Sequence, residues 1–269
     1  MKLPIYQVDA FTDQVFRGNP AAVCPLDRWL PDSVLQSIAT ENNLSETAFF
    51  VRRDHGYDLR WFTPACEVAL CGHATLASAH IVTTVLDPGA PQIEFHTSSG
   101  RLSVTVEPGN GELRMDFPAD VPHAVVLPPE LPEILSIAVA QCLTSRIGYL
   151  LAIADDEAGV RHAQPDMARL AALDCKGVIV SARGADSDFV SRFFAPQLGV
   201  PEDPVTGSAH CVLTPYWAGQ LGKAVLHARQ LSARGGELRC EMHGNRVMLA
   251  GHAVLYLQGS IEVAAGNSG

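Results

Sequence analysis

Glu46, the triplet Cys71-Gly72-His73 and the run from Pro201 to Ser208, PEDPVTGS, hold the residue types that acid/base or nucleophilic chemistry needs. Glu46 stands among small and apolar residues in NLSETAFFV, and a carboxylate buried on such a strand becomes a general base with a raised pKa. Left at an exposed edge, it is a solvated charge. His73 at a helix start can donate to a substrate or pass a proton, and it serves equally well as a cap or a packed ring. Cys71 just ahead of that helix can be a thiolate, because a helix N-terminus lowers a thiol pKa, or a small buried filler. Asp203 and Ser208 suit a turn and an N-cap when they carry no chemistry.

The elements that must position these residues are written twice. Residues 60–82, RWFTPACEVALCGHATLASAHIV, share their beginning and end with residues 192–219, RFFAPQLGVPEDPVTGSAHCVLTPYWAG. Each opens with Arg, two aromatics, a small residue and Pro, tightens at Gly72 or Gly207, and continues into a small, apolar run that suits a buried helix. Pro31-Asp32 returns as Pro165-Asp166, Arg60 as Arg192, and Gly100-Arg101-Leu102 as Gly236-Glu237-Leu238, at offsets between 132 and 136. A period of domain length implies two homologous domains rather than a solenoid. We place them at residues 1–118 and 119–269, divided near the proline-rich FPADVPHAVVLPPELP.

Within the first half, LPIYQVDAF and PAAVCPL predict strands separated by the turn RGNP. LPDSVLQSIATENN predicts an amphipathic helix with Asp32 or Ser33 available to cap it, SETAFFV and LRWFTP predict strands, and residues 100–118 a hairpin turning at Pro108 to Gly111. The two buried helices begin at Gly72 and Gly207, where unpaired backbone N–H groups favour a carboxylate. If the halves face each other about a pseudo-twofold, both N-termini point into one cleft. Chemistry need not follow the repeat: Glu46 has Lys176-Gly177 as its counterpart and no acid, while about three residues are inserted ahead of Thr206-Gly207-Ser208.

Composition narrows the classes. With 47% hydrophobic and 18% charged residues the chain of 269 can bury a core, so disorder is not expected. A net charge of −10 argues against nucleic acid or an anionic membrane as partner. No run of about 18 apolar residues spans a bilayer. Seven cysteines without CxxC or zinc-like spacing, and an opening without an export pattern, point to reduced thiols in the cytoplasm. The glycine stretches lack phosphate-loop spacing, and Gly207-Ser208-Ala209 is no GxSxG elbow.

SETAF, FTP…CGHATLA, GVPEDPVTGSA and the opening VDAFTD…GNPAAV together resemble the PhzF-type phenazine biosynthesis-like family, over nearly the whole chain. The resemblance implies an α+β fold of the diaminopimelate epimerase type, with two similar domains, each a barrel-like sheet around a central helix, and the site in the cleft between them. It also implies a homodimer. The best understood member isomerises trans-2,3-dihydro-3-hydroxyanthranilate by moving a proton between ring carbons, with no metal or organic cofactor. By resemblance Glu46 is the acid/base, His73, Asp203 and Ser208 match the other polar catalytic residues, and Gly72, Gly207, Thr206 and Cys71 line the substrate. A small carboxylate is the substrate class implied. Cys71 departs from the phenazine enzyme, which has a small apolar residue there. The epimerases of the fold carry a catalytic cysteine at that place, but their second cysteine falls at about Thr206. Alternatives are therefore a Cys71-dependent epimerase of an amino or imino acid, and a member that binds a ligand without turnover.

Overall fold

In the computed structural model, residues 1–263 are described, and their contacts divide the chain into two compact units. The first comprises residues 1–115 with 251–263, and the second residues 116–250. Residues 251–263 group with the first unit because the last strand pairs with the first.

The first unit begins with β1 (Lys2–Ala10) antiparallel to β2 (Asn19–Leu26), followed by α1 (Asp32–Asn42), β3 (Glu46–Arg52) and β4 (Tyr57–Phe62). β3 runs parallel to β2 and antiparallel to β4. After the two-residue β5 (Glu67–Val68) come α2 (Gly72–Ile81), β6 (Gln92–Thr97) parallel to β4, and the hairpin of β7 (Gly100–Val106) and β8 (Leu113–Pro118). Neither Asp32 nor Ser33 caps α1. Pro31 stands at the N-cap, and Asp32 instead meets Arg60 at 2.9 Å. Asn43 ends the helix in the left-handed region, where an asparagine costs little.

α1 covers one face of the sheet, packing Leu35, Ile38 and Ala39 against Cys24, Phe49 and Phe62. α2 lies against β1, β2 and β3, and nearly all its residues are buried, Thr75 and Ser78 included. A helix enclosed on all sides needs small side chains to admit the strands, and Ala74, Ala77 and Ala79 supply them. The two buried hydroxyls return their hydrogen bonds to the helix: Thr75 donates to the Cys71 carbonyl at 2.6 Å and Ser78 to that of Ala74 at 2.7 Å.

The second unit opens with β9 (His123–Ala124), α3 (Leu131–Leu135), β10 (Gln141–Thr144) and β11 (Tyr149–Ile153). Two short helices follow, α4 (Glu157–His162) and α5 (Met167–Ala171), the latter capped by Asp166. β12 (Gly177–Arg183) runs parallel to β11 and antiparallel to β13 (Phe189–Ala195), which pairs with β14 (Val200–Asp203). Then come α6 (Gly207–Leu221), β15 (Val225–Gln230) parallel to β13, and the hairpin of β16 (Gly236–His243) and β17 (Arg246–Gly251). β18 (Ala253–Glu262) returns to the first unit, antiparallel to β1 and against α2.

From β2 to β8 and from β11 to β17 the order and sense of pairing are the same, so the repeat read in the sequence is a repeat of topology. The conserved spacing has a local cause. Arg60 forks onto Glu67 with two contacts of 2.7 Å and lies over Phe62, and Arg192 forks onto Glu202 at 2.7 and 2.9 Å and lies over Phe194. Each clamp ties one strand to the short strand that leads into the buried helix, with the strength of a bidentate charge-assisted pair. α6 tolerates Pro215 in its interior because the carbonyl four residues back, on Cys211, accepts from Asp120 N–H at 3.0 Å instead.

Among the described residues no helix is long and apolar enough to cross a membrane. All seven cysteines are free thiols.

Candidate active site

Glu46 is the first residue of β3, and Cys71, Gly72 and His73 form the N-cap and first turn of α2. The chain brings three of these side chains together in the first unit. His73 Nε2 lies 3.1 Å from a carboxylate oxygen of Glu46, and Nδ1 lies 3.5 Å from Cys71 Sγ. That Glu46 oxygen and His73 Nε2 are both buried, and neither makes an aligned hydrogen bond to any protein group. Buried polar atoms without such partners are uncommon, and a catalytic role is one of the reasons a fold retains them. The N-cap side chain makes no capping hydrogen bond, and the N–H groups of Gly72 and His73 at this helix start favour an anion.

A residue the sequence reading passed over completes this cluster. Asn19, given no role within the turn RGNP or the stretch GNPAAV, is fully buried and places its amide nitrogen 3.2 Å from His73 Nδ1. Gly18 makes that placement possible: φ is +64°, and a Cβ there would stand 2.1 Å from the Ala10 carbonyl oxygen. Nothing in the local pattern separates this asparagine from any other in a turn, since its partner is 54 positions away.

Burial pushes the Cys71 thiol up to about 11, helped by the charge of Glu46. The expected lowering by the helix N-terminus is thus outweighed by desolvation, and the thiol is protonated at neutral pH. Burial works against a charged His73, while Cys71 and Glu46 favour it, and the net direction is upward. The upward push from Cys71 exists only while it is a thiolate; with the thiol protonated at ordinary pH, Glu46 alone opposes the desolvation of the ring.

The donor atoms of Glu46, Cys71 and His73 lie within 4.8 Å of one another, a spacing that could bracket a cation. Cys71 addresses Nδ1 and Glu46 addresses Nε2, however, whereas one ion draws on a single ring nitrogen. The contacts describe a chain of proton-bearing groups rather than a shell around one point.

The second unit places Asp203, Thr206, Gly207 and Ser208 at the start of α6. Thr206 donates its hydroxyl to Asp203 at 2.5 Å and its backbone N–H to Gln230 Oε1 at 2.9 Å. Gln230 is buried and returns its amide to the Asp203 carbonyl at 2.7 Å. Ser208 lies 3.1 Å from the hydroxyl of Tyr149, whose ring packs on Phe193. Tyr149 and Gln230 were not foreseen: both come from strands remote in sequence and carry no motif.

Strand register shows where the symmetry breaks. Thr47 pairs with Phe62 as Val178 pairs with Phe194, so Gly177 occupies the place of Glu46. A Cβ on Gly177 would meet the Phe193 ring at 2.7 Å. The space that a second acid would need is filled by an aromatic side chain.

The helix starts differ in a further way that pH can read. Thr75 in α2 bonds back to the N-cap carbonyl, and in α6 the same task falls to His210, whose Nδ1 donates to the Thr206 carbonyl at 2.8 Å. Complete burial lowers the His210 pKa to about 4 from 6.5. A buried neutral ring binds fewer protons than the unfolded chain does, so stability falls as pH drops through 6.5 and stops falling below about 4. Between about pH 7 and about pH 4.5 the group is expected to cost roughly 2 to 3 kcal/mol. Urea melts at those two pH values should show a smaller loss for His210→Gln than for the parent; an equal loss in both would contradict it.

Residues 8–259 match the family model PhzC-PhzF, described as phenazine biosynthesis-like protein. The chain belongs to this family. Phenazine biosynthesis-like relatives include an uncharacterized isomerase of Pseudomonas aeruginosa, 54% identical over 263 residues that cover 98% of this chain and 100% of the relative. A crystal structure of a PhzF family protein from Enterococcus faecalis superposes with a TM-score of 0.94 at 45% identity, covering 98% of this chain and 100% of that one. A predicted epimerase of Pseudomonas aeruginosa shares the fold at a TM-score of 0.77 and 21% identity, covering 97% and 100% of the two chains. The phenazine biosynthesis-like architecture is thus an α+β fold with epimerase-type relatives.

Proposed function

We propose that this chain is an isomerase that moves a proton between carbons of a small carboxylate without a cofactor, with Glu46 as the acid/base. The observation that carries the reading is the pair of buried, unaligned polar atoms on Glu46 and His73, 3.1 Å apart beside the uncapped start of α2. A carboxylate so placed can take a proton from carbon and return it to another, as general bases do. His73 steadies the carboxylate, and backbone N–H groups at Gly72 hold the developing negative charge. By family resemblance Asp203, Thr206, Gly207 and Ser208 take the remaining polar roles. Relatives named as isomerases support the reaction class, and trans-2,3-dihydro-3-hydroxyanthranilate, the substrate of the best understood phenazine enzyme, is the first compound to try.

The test is incubation in deuterated solvent with a panel of cyclic and acyclic unsaturated carboxylates, read by mass spectrometry. Incorporation of solvent deuterium at carbon is expected for at least one. A panel that exchanges nothing while one compound raises the melting temperature would favour the binding-only alternative instead.

Thiol-dependent epimerisation is disfavoured, since Cys71 is protonated at neutral pH and Thr206 stands where a second thiol would be needed. Cys71→Ala is expected to lower the exchange rate by less than about tenfold, against the roughly 10²-fold or greater loss that removing a true general base brings. Complete loss of exchange in that variant would reinstate the thiol.

A further inference from the structure

Nδ1 of His73 has two suitors. The Asn19 amide nitrogen stands 3.2 Å away and Cys71 Sγ 3.5 Å away, and all three side chains are buried. A neutral imidazole nitrogen offers one in-plane lone pair, so it can accept well from only one of them. An amide N–H is the stronger donor, since a thiol is a weak one. We propose that Asn19 is a positioning residue that fills Nδ1, fixes His73 as the Nε2–H tautomer facing Glu46, and thereby keeps Cys71 out of the chemistry. The Glu46 part of this statement rests on the isomerase reading above; the tautomer and the silencing of the thiol do not.

The consequence for catalysis follows from the arrangement of donors. With Nδ1 occupied, the one remaining ring proton must sit on Nε2, 3.1 Å from Glu46. Without Asn19, Nδ1 becomes free to take the proton of Cys71, which creates a thiolate–imidazolium pair of the kind that lowers thiol pKa values. The same helix start then serves a nucleophile instead of a carboxylate base. Asn19 is held for this by Gly18, whose backbone no side chain could share.

Two-bond ¹H–¹⁵N correlation spectra of histidine-labelled protein distinguish the two neutral tautomers and the imidazolium, with His73→Gln assigning the signal. At about pH 7.5 the parent should show the Nε2–H pattern. Asn19→Asp presents only acceptors to Nδ1 and should convert His73 to the Nδ1–H form or the imidazolium. Asn19→Ala should raise the rate of Cys71 alkylation by iodoacetamide, followed by peptide mass spectrometry, about tenfold or more. An Nδ1–H or imidazolium pattern in the parent overturns the proposal, as does an unchanged Nε2–H pattern in Asn19→Asp. If Asn19→Ala folds and leaves Cys71 as unreactive as before, the silencing role fails. Should Asn19→Ala not fold, the parent and Asn19→Asp spectra still decide. None of these readouts needs a substrate, so an error about the isomerase shows separately, as full deuterium exchange in Glu46→Gln.

Discussion

Glu46→Gln is expected to lower solvent-deuterium incorporation into substrate by roughly 10² to 10⁴-fold, the usual contribution of a positioned general base. The substitution keeps the size and planarity of the side chain. Its amide oxygen can still face His73 Nε2, which now lies 3.1 Å from a Glu46 oxygen, so ligand binding should survive. What the amide lacks is the capacity to take up a proton and carry it to a second carbon. Loss of exchange with retained ligand-induced stabilisation is the predicted combination. Exchange at the parent rate would remove Glu46 from the mechanism, and loss of both would show that it serves binding.

The second large effect concerns the missing acid. Gly177→Glu restores in the second unit the residue type that the first unit carries at the same strand position, yet it should destabilise rather than add a base. Its Cβ would enter within 2.7 Å of the Phe193 ring and 3.1 Å of the Phe194 carbonyl oxygen. Gly177→Ala alone is expected to cost about 1 to 3 kcal/mol through overpacking, and the glutamate more, because a buried charge without a partner is added. Denaturant melts of the two variants check this. A Gly177→Glu protein as stable as the parent would mean that Phe193 yields freely, and that the asymmetry between the units is not enforced by packing.

If both results hold, the chemistry is one-sided by construction. One unit carries the acid/base and its imidazole, and the other has given the equivalent space to an aromatic ring. A racemase of the two-base kind needs acid/base groups on both faces of a carbon; by family resemblance Thr206 takes the place of the second thiol, and its hydroxyl is committed to Asp203.

Much of this was legible in the chain itself. Repeats survive in sequence when they serve local needs. Arg60 and Arg192 must reach a glutamate in the next short strand, the small residues of α2 and α6 must admit neighbouring strands, and Gly72 and Gly207 open helices at the same point of each unit. The clamps and helix starts are local along the chain, so spacing records them, and the small residues of the buried helices show in composition whatever strands they meet. The candidate base also showed, as an acid placed where the repeat has none.

Other features were decided only by the tertiary structure. Residues 251–263 complete the first unit because β18 finds β1, a pairing from one end of the chain to the other that no local pattern encodes. Asp32 was expected to cap a helix and instead meets an arginine 28 positions on. The state of Cys71 turned on a competition of magnitudes: a helix N-terminus favours the thiolate, but complete enclosure pushes the thiol up to about 11. Asn19, Tyr149 and Gln230 joined their clusters from strands 24 to 59 positions away from their partners. Sequence determines which groups are present and how neighbours along the chain are spaced. Desolvation and the meeting of distant side chains are properties of the packed interior, and they settle which of those groups can carry a proton.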